Sequence, residues 1–193
     1  MCFEKPEAGL LTRRPRDIKR DKLVDWKLLL HAYGFLGVLE SLAAMSMSFW
    51  YLERRGFPFS KIVLAFGGLP ADIDPAAFAE HTNVAQSVYF FTLVFMQFGN
   101  LLATRTRCLS FFQHPPWGAT ANWYIPPAVA ASLAFLFFFS YPPFFQSALL
   151  TRGVPVEYIF LPIPFGLGLL FLDEVRKYCV RKWPKGFLAK IAW

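Results

Sequence analysis

The sequence predicts an all-α membrane protein with four transmembrane helices. Three observations carry that reading. Four stretches, 28–52, 84–104, 123–146 and 156–175, are long and apolar enough to cross a hydrocarbon layer, which takes about 20 mostly apolar residues. Sixteen of the twenty Lys and Arg residues fall in three blocks, 5–27, 105–107 and 176–190, which those stretches place on one side. Hydrophobic residues make up 55% of the chain and aromatic residues 19%, more than an average soluble domain carries. Lys and Arg in short loops are retained on the cytoplasmic side, so both termini are expected in the cytoplasm.

The remaining basic residues, Arg54, Arg55, Lys61 and Arg152, fall in the two outer loops beside Glu53, Asp72, Asp74, Glu80 and Glu157. A net charge of +7 raises the question of nucleic acid. The positions answer it: the charges flank apolar spans, where they meet anionic lipid headgroups, and no nucleic-acid partner is expected. The first 27 residues are polar and lack the apolar core of a signal peptide. Cys2, Cys108 and Cys179 all lie on the predicted cytoplasmic side, and free thiols are the expectation there. His31, His81 and His114 are far apart in sequence, and their spacing suggests no metal site.

Residues 1–27 read as a polar arm. Its mixed charges and Pro15 favour an ordered surface loop over a long helix, with Trp26 anchoring the first span at the interface. The first span carries Gly34, Gly37 and Ala44 as a small-residue face that invites close helix approach, and one acid, Glu40. The loop 53–83 is irregular, with a short surface helix expected around 75–82. In the second span Gln86, Gln97, Asn100 and Thr104 fall within a roughly 60° arc at 100° per residue. Amides in hydrocarbon need partners, so this stripe faces other helices or a polar cavity. Interhelical hydrogen bonding and lining of an ion path both satisfy it. Gly99 leaves room for another backbone.

The third span opens with Pro126 and Pro127 in its first turn and serves packing and lipid contact; Tyr141-Pro142-Pro143 should break or end it. In the fourth, Pro162 and Pro164 loosen the helix, which ends at Asp173-Glu174-Val175-Arg176-Lys177. Its basic residues complement the helix dipole. Asp173 and Glu174 are expected to pair with Lys or Arg from another cytoplasmic segment.

Several short runs resemble one family in order. They are Phe3-Glu4-Lys5-Pro6-Glu7, Pro15-Arg16 with Asp21-Lys22-Leu23-Val24, Ala32-Tyr33-Gly34, Gln97-Phe98-Gly99-Asn100 and Ser140-Tyr141-Pro142. The last is Asp173 to Lys177 with Pro184 and Gly186. Together they resemble the carboxy-terminal quarter of a P-type cation-transporting ATPase, sodium/potassium-exchanging branch, nearly end to end. The resemblance implies four helices equivalent to the last four of such a pump, with 28–193 as that domain. It implies as partners the lipid bilayer and the remaining helices of a pump, or a full-length pump, and a plasma-membrane location. The parent family uses ATP and Mg through an Asp-Lys-Thr-Gly motif. Here Asp21-Lys22 is followed by Leu23 and no Gly-rich phosphate loop occurs, so no cofactor and no ATPase or pumping activity are expected of this chain alone.

The resemblance also marks departures. Asn100 stands where sodium-pumping relatives carry an Asp ligand, and the ninth-helix Glu falls near Ser132. Glu40 is an acid where a neutral polar residue is usual. Gln97, Asn100 and Glu40 are thus the candidate ion-binding residues. Arg16, Lys22, Asp173, Glu174, Arg176 and Lys177 are candidates for cytoplasmic docking. The Ser-Tyr-Gly-Gln stretch that grips a glycosylated partner subunit in animal pumps is missing, so that partner is not expected. The rival reading is an autonomous four-span protein that docks on a full-length pump and regulates it; a small channel is a third.

Overall fold

The computed structural model describes residues 4–6, 15, 24–64, 68 and 73–191. Among them there is no strand. The first long helix, α1, spans Trp26–Arg54. The Asp25 carboxylate accepts the Trp26 N–H at 2.7 Å and starts it. From Leu30 to Gly37 this helix takes the wider π form, with the Val38 N–H reaching back to the Tyr33 carbonyl. Such a stretch holds an extra residue per turn and turns the face that follows. A short helix, α2, covers Phe59–Ile62.

The second long helix, α3, spans Pro75–Ala103 without interruption, so no separate surface helix exists over 75–82. The reason is local. Asp74 caps the amides of Ala76 and Ala77 at 3.1 and 3.4 Å, and Pro75 occupies the first helical position, where its missing N–H costs nothing.

The third stretch ends earlier than expected. It is helical from Ile125 to Ser140 (α4). It then breaks at Tyr141-Pro142 and turns by 78° into α5, Pro143–Leu149. Proline lacks the N–H that continuation needs and disfavours helical geometry in the residue before it. The last long helix, α6, spans Val156–Lys182, running past the expected end at 175. A short α7, Phe187–Ile191, follows.

By length and composition, α1 and α6 are apolar enough to cross a membrane, and the bent pair α4–α5 makes a third if counted as one span. That is two clear spans and up to three, where the sequence suggested four. Helix α3 is long enough, but Gln86, Gln97 and Asn100 dilute its apolar run.

Helix α3 is the axis of the fold and packs against α1 on one side and α6 on the other. Toward one end Met47, Tyr51, Val88, Phe91, Leu136 and Tyr158 form the larger core cluster. Toward the other, Leu36, Met96, Ala103 and Leu169 form a smaller one. The α3–α6 crossing is a backbone contact: a Cβ on Gly99 would overlap the Gly166 carbonyl oxygen, and one on Gly166 would sit 3.2 Å from the Phe95 carbonyl oxygen. Gly34 and Gly37 behave differently. The atoms nearest a Cβ there belong to α1 itself, so the expected small-residue face of α1 meets no other backbone at those positions.

Gly99→Ala should therefore cost about 1–3 kcal/mol through overpacking. Gly168→Ala, with open space around its Cβ, should be neutral or slightly stabilising. Thermal unfolding of both variants in detergent, beside the parent chain, checks the contrast.

Candidate functional site

Midway along α1, Glu40 is 5% exposed. Its Oε2 accepts a hydrogen bond from Gln97 Nε2 of α3 at 2.5 Å. Asn100, one turn further along α3, also bears on this carboxyl group. Three of the residues singled out in the sequence thus meet at one place. Glu40 Oε1 and Asn100 Oδ1 are both buried and have no hydrogen-bond partner among the described residues. Beside them lies a cleft of about 400 Å³ between α3 and α4, whose polar lining is Gln97, Asn100, Thr104 and Ser132. Gln86 does not join this group. It is exposed and lines a separate cleft near Ser48 and Tyr89.

A second polar cluster forms where the ends of α3 and α6 meet the start of α1. Asp173 and Lys177 are each 1% exposed and lie 3.0 Å apart. Lys177 Nζ also donates to the Ala103 carbonyl at 2.7 Å and to Thr106 Oγ1 at 3.3 Å. Arg176 donates to Asp173 at 2.7 Å, and His31 stands 3.9 Å from the same carboxylate. Asp173 therefore pairs within its own helix, three and four residues on, where helix geometry brings side chains together. Among the described residues no Lys or Arg from another segment meets it, where the sequence led one to expect such a partner. Glu174 lies 3.7 Å from Lys177 and accepts the Phe111 N–H at 2.8 Å. Lys177 and Glu174 thus tie α6 to the end of α3 and to the stretch after it. Arg16 and Lys22 lie outside the described residues.

Sequence reasoning missed a third cluster. Arg105, buried, donates to Glu4 through Nε at 2.9 Å and through an Nη, and to the His114 and Thr120 carbonyls. Asn122 Nδ2 donates to the other Glu4 oxygen at 2.9 Å, and His114 Nε2 stands 3.4 Å from Glu4. Burial pushes the Glu4 carboxyl up, but hydrogen bonds from Arg105 and Asn122 and the Arg105 charge outweigh it, leaving Glu4 below the ordinary glutamate range. The signal for this clasp was faint: Glu4 sits in a recognised run and Arg105 opens a basic block, but nothing in sequence joins them.

At the opposite end of the bundle Arg152 grips Glu80 with two nitrogens, at 2.6 and 3.0 Å, and its N–H donates to Ser87 Oγ at 2.8 Å. Arg54 reaches Glu157 at 3.1 Å, an exposed pair of little energetic weight.

Residues 1–179 match the family model described as cation transporting ATPase, C-terminus. The chain belongs to that family. The match covers the buried Glu4 clasp, the α1–α3 polar site and most of α6. Similar curated proteins include the sodium/potassium-transporting ATPase subunit alpha of Hydra vulgaris, 29% identical over 98% of this chain and 19% of that protein. Subunit alpha-A of Artemia franciscana is 28% identical over 98% of the chain and 20% of its own length. Subunit alpha-2 of Homo sapiens is 27% identical over 98% and 19%. The chain thus spans about a fifth of the length of the relatives it matches. A member of this family with two clearly apolar long helices is a membrane protein.

Two outcomes test these clusters. Lys177→Met leaves the buried Asp173 charge with Arg176 as its remaining close cation and should cost no more than about 3–5 kcal/mol, with Asp173→Asn/Lys177→Met recovering part of that loss; thermal unfolding of the pair measures it. For Glu4 the folded carboxyl is the stronger acid, so its contribution is full above the ordinary glutamate range and fades as pH falls through the folded value. Protection from hydrogen exchange across 105–122, relative to the intrinsic rate at each pH, should fall in the parent chain as the pH drops below that range. In Glu4→Gln protection should be low throughout and show less of this dependence.

Proposed function

We propose that this chain is the carboxy-terminal membrane support bundle of a sodium/potassium-type cation-transporting ATPase. The observation that carries the reading is the family match along residues 1–179, with relatives of that type aligned over nearly the whole chain. In this role α1, α3, α4 and α6 are four spans with both termini cytoplasmic, in the plasma membrane, and they brace transport helices supplied by the rest of the pump. Alternation of the spans is supported by contacts between ends. Arg54 of α1 meets Glu157 of α6 at one end, and Lys177 of α6 meets Ala103 of α3 at the other.

Glu40, Gln97 and Asn100 border the ion path of the assembled pump. The Asp173–Lys177 cluster and the Glu4 clasp hold the cytoplasmic ends in register. The chain alone neither hydrolyses ATP nor pumps; nucleotide, Mg and phosphorylation belong to the part it does not contain. A glycosylated partner subunit of the animal type has no counterpart for its gripping sequence here.

The reading is tested by co-expressing the tagged chain with a polypeptide carrying the first six membrane helices and the cytoplasmic domains of a sodium/potassium-type pump. Co-purification in mild detergent, lost in Gly99→Leu, is the expected outcome. Binding to a complete pump but not to the six-helix piece would favour the docking regulator instead.

A further inference from the structure

The short helix α7 packs against α6, and with the first turns of α1 the two frame a cavity of about 290 Å³. Its walls are apolar: Leu30 and Phe35 of α1, Leu172 and Val175 of α6, and Leu188 and Ile191 of α7. Three polar side chains also border it, His31, Arg176 and Cys179.

Arg176 gives the cavity its chemistry. Its Nε donates to Asp173 at 2.7 Å, yet among the described residues its two terminal nitrogens meet no acceptor, although the side chain is only 12% exposed. Asp173 in turn divides its charge between Arg176 and Lys177. A guanidinium held in this way keeps a planar fork of unspent N–H donors, which matches the two oxygens of a carboxylate. Positive charge prevails along this part of the chain. Residues 173–191 carry Arg176, Lys177, Arg181, Lys182, Lys185 and Lys190 against Asp173 and Glu174.

Shape and charge together select the occupant, which has to be apolar along its body and anionic at one end. The volume lies at the small end for ligand pockets, about 300–1,000 Å³, and suits one alkyl chain. A partner helix, about 10–12 Å across, is too thick for it. A phospholipid would leave one of its two chains outside.

We propose that this cavity binds a fatty acid, with the hydrocarbon chain among Leu30, Phe35, Leu188 and Ile191 and the carboxylate on the terminal nitrogens of Arg176. Every group in the site comes from this chain, so the proposal goes beyond the pump reading and stands or falls separately from it.

The test uses the full chain in nanodiscs of phosphatidylcholine, photolysed with a dodecanoic acid that bears a diazirine near its methyl end. Mass spectrometry maps the label, which should concentrate in residues 30–35 and 172–191. Unmodified dodecanoate should compete it away, and methyl dodecanoate, which has the chain without the charge, should not. Arg176→Gln should weaken dodecanoate about 10-fold or more. Arg54→Gln, which removes a cation at the opposite end of the bundle, should leave competition unchanged. Leu188→Trp keeps the Arg176–Asp173 pair, fills the cavity and should lose the label.

Label spread evenly over the exposed side of α4, or methyl dodecanoate competing as well as the acid, would overturn the proposal. So would phosphatidylserine displacing the label better than dodecanoate at equal mole fraction, which would make the occupant a phospholipid. The parent chain alone decides these outcomes, so a variant that fails to fold does not shelter the proposal.

Discussion

The backbone contact between Gly99 and Gly166 holds α3 and α6 at a separation that no side chain would permit, and the rest of the arrangement follows from it. In a lipid environment helices gain little by hiding apolar surface from each other, so close packing and polar contacts carry association. With α6 against one side of α3, the Asn100 turn has its remaining sides for α1 and for the cleft toward α4. The same approach brings Lys177 to the last carbonyls of α3, where it donates to Ala103. One pair of glycines thus sets both polar clusters along α3.

Much of this was legible beforehand, for reasons tied to particular residues. The Gln97–Asn100 stripe was visible because two amides in an apolar run, at helical spacing, have few places to go. Glu40 stood out as the one acid inside the first apolar stretch. The proline break after Ser140 was legible for a chemical reason, the missing amide hydrogen. The family itself was readable from short runs in a consistent order.

Other features had no local signature. The π stretch over Leu30–Gly37 carries no motif of its own, and Gly34 and Gly37 suggested close packing that they do not make, whereas the approach expected at Gly99 is met by Gly166. Helix α3 extends back to Pro75 because of the Asp74 cap, a signal outweighed in the reading by the irregular composition just before it. Glu4 and Arg105, about a hundred residues apart, meet only in three dimensions. Asp173 has partners three and four positions along its own helix, where helix geometry brings side chains together.

The 78° elbow after Ser140 has a mechanical consequence. Beyond it, Phe144 is 73% exposed on a short helix that lies across the direction of α4. In a bilayer such a greasy crosspiece rests at the headgroup level like an outrigger and resists being drawn through. The depth of α4 is then set at that face, and any change in membrane thickness is taken up at its other end, where the exposed Trp123 and Tyr124 meet the opposite surface.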